Sequence, residues 1–417
     1  MTTTTTLYRR IERCRVCGNP RLEPLIDLGE QALTGVFPRR SDQRVPAGPL
    51  VLVKCHGADS CGLVQLLDSY SSDEMYGDNY GYRSGLNASM VSHLRGKVAR
   101  ILERIAVPPG ALVLDIGSND GTTLSAYPAG RYDRLGIDPT AAKFRQYYPP
   151  DVTVVTELFS EAVFRAAVGD RRAAVVTSFA MFYDLENPLA FMRELHRVLA
   201  DDGVWVFEQS YLPLMLERNA YDTICHEHIE YYAMSQIAWM AQRTGFKVID
   251  IERNDINGGS FSVAVAKSTS ALPETPELAR ILDEERAAGV DGLEIYRAFA
   301  DRVAASRDAL RGFLAEARAA GKTVGALGAS TKGNVILQYC GLTAADLVAV
   351  GEVNDEKFGG FTPGTLIPIC AEADLIARRP DYLLVLPWHF RDTFLRKRDR
   401  LQGTTRLVFP LPTLEVV

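Results

Sequence analysis

The chain has 417 residues, 47% of them apolar and 24% charged, with a formal net charge of −6. That length calls for two or three cores, and that composition is the composition of a soluble globular protein. An acidic chain without a long basic run argues against nucleic acid as a partner. No apolar run reaches the ~18 residues of a membrane span, and Met1–Thr6 has no signal-peptide core, so the expectations are no membrane and a cytoplasmic location.

Of seven cysteines, four fall within the first 61 residues. Cys14-Arg15-Val16-Cys17-Gly18 reads as a knuckle, two thiolates on a tight turn. The second pair is Cys55 and Cys61, with His56 as a possible substitute for Cys55. Two such pairs predict a tetrahedral structural zinc that staples a segment too small for its own core. Four thiolates leave no open position, so the metal has no part in catalysis.

Residues 73–87 are rich in Tyr and Gly and read as a loop over a site. Met90, Leu94, Val98, Ile101 and Ile105 recur at helical spacing. Then comes Leu112-Val113-Leu114-Asp115-Ile116-Gly117-Ser118-Asn119-Asp120-Gly121, a buried strand, a tight turn and a helix start. A second apolar run ends in Asp138, 23 residues after Asp115, where a carboxylate can accept from both hydroxyls of a ribose. A dinucleotide would want G-x-G-x-x-G, and its pyrophosphate would sit badly beside Asp115 and Asp120. A sulfonium nucleoside with an amino-acid tail sits well, its ammonium drawn by Asp115. The stretch resembles motif I of class I S-adenosylmethionine (SAM) methyltransferases. That resemblance places Gly117, Asn119, Asp120, Gly121 and Pro139 at the cofactor as well.

Val152–Val155 reads as strand three, with Glu157 and Phe159 beyond it for the adenine. Ala173–Ser178 is strand four and Gly203–Glu208 strand five, with a helix over Pro188–Leu199 between them. Ligands sit at the carboxyl ends of such strands, which brings residues 178–184, Ser178 among them, and 208–211 to the rim of the crevice. Cys225-His226-Glu227-His228 with flanking tyrosines is a poor metal site, because histidines two apart share a face only on a strand. It suits acid–base work, since a histidine titrates near neutrality and a neighbouring carboxylate can orient it. Asn257-Gly258-Gly259-Ser260 makes a hairpin turn or an anion site before a last strand at 261–266.

Pro273 and Pro276 mark a boundary, and 277–319 reads as helical. Val324–Asn334 opens a second strand–turn–helix unit. Its Ser330, Thr331, Lys332 and Asn334 form a phosphate cradle at a helix start. The expected architecture is α/β: a small zinc-binding module (1–72), a Rossmann-like class I SAM methyltransferase domain (73–268) and a second α/β Rossmann-like domain (269–417).

The order of these motifs, with Tyr80-Gly81-Tyr82-Arg83-Ser84-Gly85 and Thr362-Pro363-Gly364-Thr365, resembles over nearly the whole length the sugar C-methyltransferases of deoxysugar biosynthesis. The resemblance implies structural zinc in the first module and SAM in the second. It implies a nucleotide-linked keto-sugar, dTDP- or GDP-, in the third, with Tyr82, Arg83, Asn257, Gly258 and the cradle as contacts. It also implies that His228 is the base. The expected chemistry is proton removal by His228, oriented by Glu227, from the carbon beside a 4-ketone, C3 before C5. Tyr80 and His226 would donate to the enolate oxygen, and the carbanion would take the SAM methyl. An O- or N-methyltransferase, or a sugar-binding protein with a vestigial SAM fold, stands as the alternative. A monomer or weak dimer is expected.

Overall fold

The computed structural model describes residues 7–70, 82–396 and 405–417. The first module holds β1 (Tyr8–Arg10), β2 (Leu22–Ala32), β3 (Ala47–Cys55), β4 (Val64–Leu66) and β5 (Asp68–Tyr70). β2, β3 and β4 are antiparallel neighbours.

The middle sheet is built on β6 (Leu112–Ile116), every residue of which is buried. On one side lie β7 (Asp133–Ile137) and β8 (Val152–Val155), and on the other β9 (Ala173–Phe179) and β10 (Leu199–Ser210). All of these pairings are parallel. Two-sided burial is why β6 reads as an apolar run rather than an alternation. A short strand, β11 (Glu230–Tyr231), leaves this body and pairs antiparallel with β4, so the first module shares its sheet with the second. The hairpin β12 (Phe246–Asn254) and β13 (Ser260–Lys267) closes the edge beside β10, giving the order β12-β13-β10-β9-β6-β7-β8.

Helices cover both faces. The helix Ala88–Arg104 starts where the Asn87 side chain accepts from the Ser89 amide, and buries Met90, Leu94, Val98 and Ile101. On the other face Trp205, Phe207, Phe182, Phe191 and Phe246 form an aromatic core.

The third body carries β14 (Val324–Leu327), β15 (Val350–Glu352), β16 (Ile369–Ala371), β17 (Tyr382–Val385), β18 (Arg406–Phe409) and β19 (Glu415–Val416). They order as β16-β15-β14-β17-β18-β19, with only the β18–β19 pairing antiparallel. The helical stretch read over 277–319 is two helices, Glu277–Ala287 and Glu294–Ala319. Gly289, at φ +72°, takes a left-handed conformation that breaks the run. This body also grips the first module: the Gln338 amide pairs with both the backbone N–H (2.8 Å) and the carbonyl (3.1 Å) of Ala32. No helix among the described residues is long and apolar enough to cross a membrane.

Candidate active site

Cys14, Cys17, Cys55 and Cys61 bring their sulfurs within 4.8 Å of one another. Sγ of Cys14 lies 3.5 Å from that of Cys61, and Cys17 3.4 Å from Cys55. Hydrogen bonds from Cys14, then from Cys55 and Cys61, push the Cys17 thiol far below its usual range. A compact all-thiol set with no carboxylate fits tetrahedral zinc, with Cys55 and not His56 in the cluster.

At the carboxyl ends of the middle sheet lies a cavity of about 470 Å³, walled by Asp115, Gly117, Asn119, Asp138, Pro139 and Phe159 among others. Gly117, Asn119 and Gly121 all take positive φ, which is how the turn doubles back from β6. Asp138 fixes this turn: one oxygen accepts from the Asn119 amide at 2.7 Å, the other from the Thr140 amide at 2.6 Å. Asp115 accepts from the Thr177 hydroxyl at 2.5 Å. Burial lifts its carboxyl to about 7. A buried carboxylate held this close to neutrality is a place for a cation, so the wall fits the ammonium end of SAM.

Other expected cofactor residues have different work. Asp120 does not wall the cavity; its carboxylate accepts from the Gly85 amide (2.8 Å) and from Thr122, and lies 3.8 Å from Arg83. Asn119 likewise accepts from the Ser84 amide and donates to the Tyr82 carbonyl, holding Tyr82 at the cavity rim. A Cβ on Gly121 would meet the Tyr148 ring at 2.7 Å, so this glycine is required by packing. Glu157 is exposed and off the wall, where Leu158 stands instead. Ser178 is fully buried behind the wall, accepting from the Trp205 indole at 2.9 Å. The alternation of β9 turns it into the sheet interior.

Beside this cavity the three bodies meet. His228 Nδ1 lies 3.1 Å from the Thr223 carbonyl, and its ring packs 4.2 Å from Tyr183, a cavity wall residue. A carbonyl only accepts, so Nδ1 carries the proton and Nε2 keeps a lone pair. Burial, and then the charge of Lys332, lower its pKa to about 3, which keeps the imidazole neutral. The expected orienting contact from Glu227 is absent. Its carboxylate turns to Thr34, whose hydroxyl donates at 3.4 Å, and a Cβ on Gly35 would meet it at 2.7 Å. Glu227 therefore reads against the first module, and the Thr223 carbonyl orients the histidine.

His226 and His228 have different neighbours. His226 is 1% exposed, edge-on to Tyr70 at 4.6 Å, with Nε2 3.5 Å from the Gly48 carbonyl. Burial lowers it to about 4. Tyr80 lies outside the described residues.

From the third body, Lys332 donates to the Asn257 carbonyl at 2.7 Å, and burial lowers its pKa. Ser330 is the N-cap of the helix Thr331–Tyr339, accepting from Gly333 at 3.1 Å. Fully buried Asn334 donates to the Thr34 carbonyl at 2.7 Å. Those two cradle residues thus hold the fold, while Lys332 faces the junction. A Cβ on Gly258 would sit 3.6 Å from Trp388, whose indole donates to Asp222 at 2.9 Å. Tyr183 lies in the strand-end stretch 178–184, and Asp222 and Thr223 in the polar stretch around His228, that the sequence points to; Thr34, Gly35 and Trp388 carry no local signal for this junction.

Family models match in three blocks: a zinc binding domain over residues 14–76, a methyltransferase domain over 90–251, and a C-methyltransferase C-terminal domain over 255–412. The C-methyltransferase NovU of Streptomyces niveus is 30% identical over 99% of this chain and 98% of its own. The chain belongs to the C-methyltransferase family. It is a SAM-dependent methyltransferase with an N-terminal zinc-binding module, as the order of motifs implied. Among solved structures, the 1,6-didemethyltoxoflavin N1-methyltransferase of Burkholderia thailandensis, bound to S-adenosylhomocysteine, is 13% identical (42% of this chain, 77% of that one, TM-score 0.32). The CcbJ methyltransferase of Streptomyces caelestis is 14% identical (42% and 89%, TM-score 0.33).

Proposed function

We propose that the enzyme methylates the carbon beside the ketone of a nucleotide-linked 4-keto-deoxysugar, at C3, with a dTDP or GDP carrier. The observation that carries this is the neutral His228. Its Nδ1 is tied to a backbone carbonyl and its Nε2 left as an acceptor, in a seam shared by the SAM cavity and the third body. Transfer to oxygen or nitrogen needs no base for a C–H bond. Transfer to carbon does.

SAM supplies an electrophilic methyl group on a positively charged sulfur. The chain's residues do the rest. Asp115 holds the ammonium end and Asp138 the ribose, with its grip on the Asn119 and Thr140 amides setting its direction. His228 takes the proton at Nε2; the positive charge of Lys332 opposes the imidazolium so formed and favours the electron-rich enolate formed beside it. General-base catalysis of this kind contributes ~10²–10⁴-fold. Lys332 and Thr331, with Asn257, Gly258, Tyr82 and Arg83 at the rim, bind the nucleotide-sugar. The modules divide at residues 72 and 268, and the protein works as a monomer or weak dimer in the cytoplasm.

The test is proton exchange. In D2O the enzyme should wash deuterium into the carbon beside the ketone of dTDP- or GDP-4-keto-sugars, as read by NMR. Methyl transfer to oxygen or nitrogen, without any exchange, overturns the reading.

A further inference from the structure

Gln209 stands near the carboxyl end of β10, one residue before the strand stops. Alternation along this strand sends Val206 and Glu208 toward the helix Ala88–Arg104. There Glu208 meets His93 at 2.5 Å and Lys97 at 2.8 Å. Trp205 and Phe207 point the other way and stack with centroids 4.3 Å apart. Gln209 is next in that aromatic row, level with Phe261 of β13. It is 2% exposed and walls the cavity, yet neither Oε1 nor Nε2 has a hydrogen-bond partner among the described residues.

A buried amide unsatisfied at both ends destabilises a fold that an apolar side chain of the same shape would not. At a cavity wall such a group is kept for a ligand. Its place says which one. The ammonium and ribose residues, Asp115 and Asp138, sit at β6 and β7. β10 lies on the far side of β9 from them. The same wall includes Tyr183, whose ring packs on His228, and Asn257, whose carbonyl holds Lys332.

We propose that Gln209 binds the acceptor sugar, its Nε2–H donating to the ketone oxygen and its Oε1 accepting from a sugar hydroxyl. This rests on the function proposed above. When His228 takes the proton, the C–H electron pair moves toward the carbonyl and the oxygen gains negative charge, which Nε2–H stabilises. When the carbon–carbon bond forms, the enolate pair moves to the methyl carbon as the methyl–sulfur bond breaks, that bond's pair staying on sulfur as a neutral thioether; the C=O is restored and the hydrogen bond weakens. A donor that is strongest at the charged stage lowers both transition states relative to the bound ketone, because each carries part of that charge.

Gln209→Met keeps shape and removes both polar ends; Gln209→Glu keeps the acceptor and removes the donor. Both full-length variants are compared with the parent for melting temperature, SAM affinity by calorimetry, deuterium exchange without SAM, and methyl transfer. Both are expected to keep SAM affinity, with Gln209→Met melting at or above the parent. Exchange and methyl transfer should fall together, ~10²–10³-fold, in kcat more than in KM. Exchange at the parent rate in folded Gln209→Met overturns the assignment. So does a loss of SAM affinity with exchange intact, which moves Gln209 to the cofactor. A parent enzyme that exchanges no deuterium overturns the function itself, so the two failures are told apart.

Discussion

The chain contains two strand–turn–helix units that look alike in sequence and serve different ends. After β6, the turn Gly117–Gly121 is open: Gly117 and Asn119 face a cavity, and Asp115 lies buried with a carboxyl lifted to about 7. After β14, the turn Gly328–Gly333 is closed. A Cβ on Gly328 would strike Pro387 at 2.7 Å, one on Gly333 would strike Leu386 at 3.0 Å, and Asn334 is spent on the Thr34 carbonyl. Glycine is needed at both turns: at the first for the positive φ of Gly117 and the packing of Gly121 on Tyr148, at the second for packing. From the second turn Lys332 faces the junction of the three bodies, where it donates to the Asn257 carbonyl and its charge lowers the pKa of His228. One unit opens onto a cavity; the other joins three bodies and brings a buried lysine to their junction.

The largest effect should come from breaking the frame in which both units sit. The first module shares β4 with β11, and β11 follows His228 by two residues. Structural zinc contributes apparent folding free energies of ~10–16 kcal/mol in small peptides. Cys14→Ser, or chelation under mild denaturant, should therefore lower soluble yield and melting temperature. Metal analysis of the parent should give about one zinc per chain. A metal-free protein with parent stability would contradict the staple.

Next is the separation of the two histidines. His228→Asn should bind SAM normally and lose deuterium exchange and methyl transfer by ~10²–10⁴-fold. His226→Asn should retain exchange and lose stability, since its ring packs on Tyr70. Parent-rate exchange in His228→Asn moves the base elsewhere.

The two units should also come apart under a crossed pair of substitutions. Asp115→Asn is expected to weaken SAM and leave the nucleotide-sugar unaffected, and Lys332→Met the reverse. A hydrogen bond to a charged group is worth about 1.5–3 kcal/mol, or roughly 10- to 150-fold in Kd. Calorimetry with each ligand decides it, and a variant that weakens both ligands equally would mean the turns are one site rather than two.

The sequence makes the fold legible where periodicity is strong. β6, β9 and the helix Ala88–Arg104 emerge from apolar spacing alone, and the four cysteines from theirs. What it hides is long-range. That β11 pairs with β4, or that Thr34 accepts from Asn334 and donates to Glu227, depends on contacts far apart in the chain, 193 and 300 residues for the two Thr34 bonds, with no local signature. For the same reason adjacency misled at Glu227: in this irregular segment the two side chains diverge, and His228 finds a carbonyl five residues back. Ser178 misled through strand alternation, which a one-residue shift inverts.

The smallest predicted effect tests why Asp115 is buried at all. In the free enzyme burial disfavours its charged form, raising the carboxyl to about 7 from an ordinary value of 3.8. A cationic ligand pairs only with the charged form. SAM must therefore displace a proton whenever it binds below that pKa, and its affinity is full above pH 7 and falls as pH drops through 7. The limiting slope is tenfold per pH unit, because one proton is exchanged. An α-ammonium, with a pKa of about 7.7–8.0, gains protonation by less than twofold over this range, a small offset to the change at the carboxyl. Between pH 7.5 and 6 the Kd for SAM should rise roughly fivefold to tenfold. In Asp115→Asn the affinity should be weaker and flat with pH. A parent Kd that does not change across this range would mean that the ammonium lies elsewhere and that Asp115 serves only to hold Thr177.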